Sequence, residues 1–168
     1  NITHLSTGDV LRDQLKQKNK LSFDLKKIID SGQLVSDKIL NQIVSDRIAQ
    51  KDCKNGFILD GYPRTLSQCY YLNDYFAKNN LSFNYFFEFK IDYDSMLKRI
   101  ANRALVENRP DDSEETIKTR LEEYNNETAP VLNHFKKKYS SICYILDGNQ
   151  EIKKINSLII KIIEKKVI

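Results

Sequence analysis

The sequence is short of the residues that mark several protein classes. No apolar run approaches the roughly 18 residues of a membrane span, and no secretory signal opens it. Five glycines and three prolines are too few for a disordered or fibrous chain. The three cysteines, Cys53, Cys69 and Cys143, lie far apart and include no C-x-x-C; they read as reduced thiols of a cytoplasmic protein. No basic run exceeds Lys136-Lys137-Lys138, and a net charge of +4 is too mild to signal nucleic-acid binding. The first residue is Asn1 rather than Met, as in a trimmed chain. What remains is one soluble domain, since 168 residues can bury about 68–70% of the surface they expose unfolded.

Arginine is the scarcer cation, with seven residues against twenty lysines. In a chain also rich in Ile and Asn, Lys is the default, and an Arg that persists is needed for its planar fork on phosphate or carboxylate. The seven are Arg12, Arg47, Arg64, Arg99, Arg103, Arg109 and Arg120. Only Arg47, on a polar helix face, reads as ordinary surface. Arg99 and Arg103 are an i,i+4 pair of like charges, which repel unless an anion lies between them. Any one helix-face Arg could simply be solvated; the set points to a polyanionic ligand.

Periodicity predicts alternating short strands and helices. Ser6-Thr7-Gly8-Asp9 caps a helix, a second runs near Phe23–Ser31 and stops at Gly32, and Ser36 caps a third carrying Leu40, Ile43, Val44 and Ile48. Gly56-Phe57-Ile58-Leu59-Asp60-Gly61 reads as a strand buried on both faces, followed by a helix from Thr65 to about Ala77. Phe83–Phe89 reads as another buried strand. Helices follow at Tyr93–Arg103 and Ser113–Lys137, the second opened by Asp112. Ile142–Leu146 forms the last strand, and an Ile-striped helix closes the chain. The pattern is α/β, a parallel sheet flanked by helices, with ligands beyond the strands' carboxyl ends at Asp60-Gly61 and Asp147-Gly148.

Candidate chemistry gathers there. Asp60 suits either a metal-binding carboxylate or a cap in a tight strand exit. Gly61 permits close approach of a ligand and Pro63 fixes φ. Gln68 fits a capping box with Thr65. His4 and His134 have no partner spacing for a metal or a triad and read as structural or surface. Tyr85-Phe86-Phe87 reads as sheet core.

Together these motifs resemble the adenylate kinase family of nucleoside monophosphate kinases. Leu5-Ser6-Thr7-Gly8-Asp9-Val10-Leu11-Arg12 looks like its monophosphate-site signature, and Gly56 through Thr65 looks like its central-strand signature. Arg99-x-x-x-Arg103, Arg109-x-Asp111-Asp112 and Glu122-x-Tyr124 through Thr128-Ala129-Pro130 follow in the family's order.

The resemblance implies a P-loop NTPase-like fold with a monophosphate-binding flap over 6–35 and a short lid over 102–112. It implies reversible transfer of a phosphoryl group from ATP to AMP, serving adenine nucleotide homeostasis in a cytoplasmic monomer. Thr7 and Arg12 would hold the monophosphate, with Gly32, Gln33, Leu34 and Val35 closing over base and sugar. Gly61, Tyr62, Pro63 and Arg64 would line its phosphate side, and Gln68 would read the base. Arg99 and Arg103 would serve ATP, Arg109 and Arg120 would span the transferring group, and Gln150 would touch the ATP base. Asp60 would orient Mg²⁺ through water, and Asp111 and Asp112 would engage lid arginines. The lid is too short for zinc and holds no Cys. Thr7 and Gln68 match the adenylate kinases, whereas uridylate/cytidylate kinases of the same family tend to carry Ala and Asn there.

One departure stands out. The family's first strand, Gly-rich phosphate loop with its Lys, and helix precede the Ser-Thr-Gly-Asp signature, yet Ser6 comes almost at once and G-x-x-x-x-G-K occurs nowhere. About 20–30 residues are therefore expected to be absent. The chain as it stands is expected to bind ATP poorly and to catalyse little. Either an adenylate kinase has lost that segment from its sequence, or this is a non-catalytic nucleotide-binding remnant. The retained arginines favour the first. A UMP/CMP kinase is the other alternative.

Overall fold

The computed structural model describes residues 2–16, 20–31, 33–107 and 113–165. Among them, strands β1 (Thr3–Ser6), β2 (Phe57–Asp60), β3 (Phe86–Lys90) and β4 (Cys143–Asp147) are separated by helices. The helices are α1 (Thr7–Leu15), α2 (Lys20–Asp30), α3 (Asp37–Ile48), α4 (Leu66–Lys78), α5 (Tyr93–Glu107), α6 (Glu114–Glu123), α7 (Ala129–Lys138) and α8 (Ile152–Glu164). The chain divides into two compact units, Asn1–Ser82 with Pro110–His134, and Phe83–Arg109 with Phe135–Ile168.

In the first unit β1 and β2 pair in parallel, from Thr3 against Phe57 to Ser6 against Asp60. Parallel pairing brings both carboxyl ends out on one edge. There Ser6 turns directly into α1, its side chain accepting the Asp9 N–H at 3.2 Å. The 3.6-residue period holds in α3, where Leu40, Val44 and Ile48 are buried with Leu5, Leu25, Leu72 and Phe76. Helix α4 starts at Thr65, whose hydroxyl accepts the Gln68 N–H at 3.1 Å. It stops at Asn80, which takes φ 55° while the Leu81 N–H closes on the Phe76 carbonyl at 2.9 Å.

In the second unit β3 and β4 pair in parallel, from Phe86 against Cys143 to Lys90 against Asp147. Phe86 stacks on the buried Phe135 at 4.4 Å, but the strand expected as buried is only partly so: Tyr85, Phe86 and Phe87 are half-buried and Phe89 is 50% exposed. Helix α8 half-buries Ile155, Ile159 and Ile162, its i, i+4, i+7 stripe.

The architecture is the α/β class that the sequence indicates, with parallel strands flanked by helices, although the described strands form two separate two-stranded ladders. Other expectations need correction. Strand β1 went unread because Thr3-His4-Leu5-Ser6 offers one apolar residue, Leu5, which is only 3% exposed. Strand β2 is covered on one face only: Phe57 and Leu59 are half-buried while Ile58 is 55% exposed.

The expected helix over 113–137 is two helices joined by a wide π turn at Tyr124–Thr128. Pro130 has no N–H for the Asn126 carbonyl and its ring crowds that group, which favours the wider turn. Helix α6 is capped by Ser113, which accepts the Thr116 N–H at 3.3 Å; Asp112 lies outside the described residues, as does the helix stop expected at Gly32. Arg47 is not simply solvated: its guanidinium pairs bidentately with Asp52 at 2.8 and 2.7 Å, locking the end of α3 to the following turn. Residues 102–107 of the expected lid continue α5.

Candidate functional site

The carboxyl end of β2 is built as a sharp turn that only glycine can make. Gly61 takes φ +76°, and a Cβ there would lie 2.9 Å from both Thr7 Oγ1 and Arg64 Nη2. Thr7, at the start of α1 and 5% exposed, gives its hydroxyl proton to the carbonyls of Asp60 and Gly61, each at 3.1 Å. It therefore ties the two strand ends together from beneath the turn. Tyr62 is buried, joins Pro63 through a cis peptide, and donates its hydroxyl to Asn41 Oδ1 at 2.6 Å. Burial, with Tyr71, Asp37 and Cys69 nearby, pushes the Tyr62 phenol far above its ordinary range, so it is a fixed donor.

Arg64 is half-buried and held on three sides. Its Nε donates to the Gly61 carbonyl at 2.8 Å, its N–H to Gln68 Oε1 at 2.7 Å, and its carbonyl accepts the Thr128 hydroxyl at 3.1 Å. Burial lowers the guanidinium below the usual range, the charge of Arg120 lowers it further, and Asp60 acts the other way. It stays protonated. Among the described residues no carboxylate pairs with it. The charge of Arg120 is thus felt at Arg64 on a partly desolvated strand exit, an arrangement suited to a multiply charged anion.

Gln68 is fully buried on the first turn of α4. Besides accepting from Arg64, its amide donates to Asp37 Oδ1 at 2.8 Å, while Asp37 Oδ2 accepts the Thr65 hydroxyl at 3.0 Å. Asp60 is exposed, with Oδ2 3.1 Å from His4 Nε2. Arg12 folds back over Gly8 and pairs with Asp9 on its own helix. In the extended segment before α3, Val35 is buried, Leu34 half-buried and Gln33 exposed.

In the second unit the chain after β4 is held by one backbone bond and by exposed side-chain contacts. The Gly148 N–H reaches the Lys90 carbonyl at 2.6 Å, and a Cβ on Gly148 would approach that carbonyl to 2.8 Å. Asp147 Oδ1 accepts the Asn149 N–H at 2.9 Å, and Arg99 donates to the Gln150 carbonyl at 3.4 Å. Two of the residues expected on the ATP side thus touch each other. Arg103 lies one turn further along α5 and is half-buried. Arg109 and the Asp111-Asp112 pair lie outside the described residues, as does Gly32.

The structure thus brings Thr7, Gly61, Tyr62, Pro63, Arg64, Gln68 and Arg120 together within one unit, and Arg99 with Gln150 in the other. Two participants, Asp37 and Asn41, escaped the sequence reading; Thr128 entered it only within a motif and His4 only as structural or surface. Asp37 follows Ser36 and looks like a helix-start acid, a position so common that it carries no signal of its own.

The adenylate kinase family model matches residues 1–140. An adenylate kinase of Mycobacterium sp. (strain MCS) is 41% identical over 141 residues, 84% of this chain and 76% of that protein. One of Leptospira biflexa serovar Patoc (strain Patoc 1 / Ames) is 36% identical over 161 residues, 96% of this chain and 86% of its own. One of Sinorhizobium medicae (strain WSM419) is 39% identical over 168 residues, with the same two shares.

Proposed function

The chain belongs to the adenylate kinase family and is a phosphotransferase acting between ATP and AMP; on that premise we propose that the β2 exit holds the AMP phosphate. The pyrimidine-kinase and non-catalytic alternatives are not favoured, since the relatives are named adenylate kinases. The observation that carries the assignment is Arg64, half-buried, braced by Gly61, unpaired with any described carboxylate and faced by the charge of Arg120.

Phosphoryl transfer asks little covalent work of a protein; it asks for alignment and positive charge around the moving oxygens. Arg64 supplies a fork whose direction is already fixed, and Arg120 adds a second charge. Arg109 would join them. Thr7, Gly61, Tyr62 and Pro63 shape the turn, Gln68 reads the base, and Arg12 with Gln33, Leu34 and Val35 completes the AMP site. Arg12 must leave Asp9 to do so, an exchange of one anion for a more highly charged one. Arg99, Arg103 and Gln150 serve ATP. Residues 6–35 act as the flap and 102–112 as the short lid, excluding water from the reaction.

Asp60 fits a magnesium ion held through water: it is exposed and single, and Mg²⁺ is commonly bound by one or two carboxylates plus substrate phosphates. When bound, the ion neutralises phosphate charge; His4 keeps the carboxylate aimed. No described helix is long and apolar enough to cross a membrane, and the cysteines are free thiols; the reading of a cytoplasmic monomer rests on the family resemblance.

Arg64→Ala in the full-length protein should cut ADP formation from ATP and AMP by about a thousandfold or more in a coupled assay. Normal turnover would refute the assignment. Offering CMP and UMP beside AMP checks the base, and a preference for CMP would overturn the roles of Thr7 and Gln68.

A further inference from the structure

Asp37 has no part in the roles above, yet it makes one of the two contacts that decide which way the Gln68 amide faces. That amide lies between two groups of fixed character. The Arg64 backbone N–H can only donate, and it sits 2.7 Å from Oε1; the Asp37 carboxylate can only accept, and it sits 2.8 Å from Nε2. Turning the amide over would set N–H against N–H and oxygen against carboxylate. Asp37 is itself fixed by the Thr65 hydroxyl on its other oxygen and by its place on the first turn of α3. Because Gln68 is fully buried, the orientation is set before any base arrives.

We propose that Asp37 is a positioning residue for base specificity, holding Gln68 in the one orientation that accepts a 6-aminopurine and rejects a 6-oxopurine. The inference rests on the reading of Gln68 as the base reader. After its internal bonds the amide keeps one N–H on Nε2 and one lone pair on Oε1. Adenine offers an acceptor at N1 beside a donor amino group at C6, which this pair matches. Hypoxanthine offers a donor at N1 beside an acceptor oxygen at C6, and only a flipped amide would match it. An unlocked glutamine serves both; a locked one serves adenine alone, because the wrong base leaves buried polar groups unpaired.

The test is calorimetric binding of AMP and of inosine monophosphate to the full-length protein and its variants. Asp37→Asn keeps the shape but offers both a donor and an acceptor, so the flipped amide is no longer opposed on that side and only the Arg64 N–H stands against it. The ratio of AMP to inosine monophosphate affinity should fall about tenfold. Asp37→Ala, measured beside it, should move the ratio the same way, so that one folded variant, checked by its thermal melt, suffices. Gln68→Leu should erase the discrimination altogether. If Gln68→Leu erases it while a folded Asp37 variant keeps the wild-type ratio, the positioning role is overturned and the base reading stands. If Gln68→Leu also keeps the ratio, the base reading itself fails and the role of Asp37 falls with it.

Discussion

The chain contains two strand exits with the same local sequence, Asp60-Gly61 after β2 and Asp147-Gly148 after β4, and they are held in opposite ways. The first is tied by side chains: Thr7 from below, Arg64 across the turn, and Gln68 with Asp37 behind it. The second is tied by the Gly148 N–H on the Lys90 carbonyl and by exposed contacts of Asp147, Asn149, Gln150 and Arg99. Side chains fixed by burial can discriminate between ligands, because each wrong atom leaves a buried group unpaired. Exposed contacts carry no such penalty, since water replaces a lost partner.

The glycines and glutamines of the two exits can break that contrast. Gly61→Ala should have the largest effect, roughly 2–4 kcal/mol of stability in urea unfolding, since it meets both a positive φ and the contacts with Thr7 and Arg64. Gly56→Ala, at φ +110° with nothing within 4 Å, isolates the backbone strain at about 1–2 kcal/mol. Gln68→Ala should cost about 2–4 kcal/mol by leaving the Arg64 N–H and Asp37 without their partner in the core. Gly148→Ala follows at about 1–3 kcal/mol, because the Lys90 carbonyl must move. Gln150→Ala should stay within about 0.5 kcal/mol, as its side chain makes only a long, exposed bond to Asp147 at 3.4 Å and Ala keeps the carbonyl that meets Arg99. A Gln150 effect as large as that of Gln68 would end the comparison.

A pH-dependent effect is expected at Asp92, beside the second exit. Its carboxylate caps α5, accepting the Ser95 N–H at 2.8 Å and the Ser95 hydroxyl at 2.9 Å, and its own N–H donates to Asn149. The Ser95 hydrogen bonds hold its pKa below the ordinary carboxylate value. A lowered folded pKa stabilises fully above the unfolded value and loses that stabilisation as pH falls through the folded one. The melting temperature of Asp92→Ala should therefore lie below wild type at neutral pH, and the gap should close in acid. A gap that widens in acid would contradict the cap.

Strands with concentrated apolar residues were legible, as were helices with a cap and a period: Phe57–Asp60, the start at Ser6, the stripe through Leu40, Val44 and Ile48. Strand β1 was not, since four residues with one leucine carry no period. The break at Tyr124–Thr128 was masked because helix-forming residues flank it on both sides, and only Pro130 hinted at it. In the site, the family resemblance picked out Arg64, Gln68 and Thr7 and gave each a ligand, while the sequence offered a protein partner only for Gln68, in the Thr65 cap. Arg47 was misjudged for the same reason: its partner Asp52 lies five positions away, off the i,i+4 face.

The sequence by itself determined the alternation of strands and helices, the two Asp-Gly exits and the set of arginines, because period, capping and scarcity are local properties of the chain. Only the tertiary structure decided what the polar groups at those exits do. Asp37 meets Gln68 across 31 positions and Thr7 meets Asp60 across 53, and a hydrogen bond between residues so far apart leaves no mark in spacing. Burial then gives it its force: where water cannot replace a lost partner, the direction of one amide becomes a property of the fold.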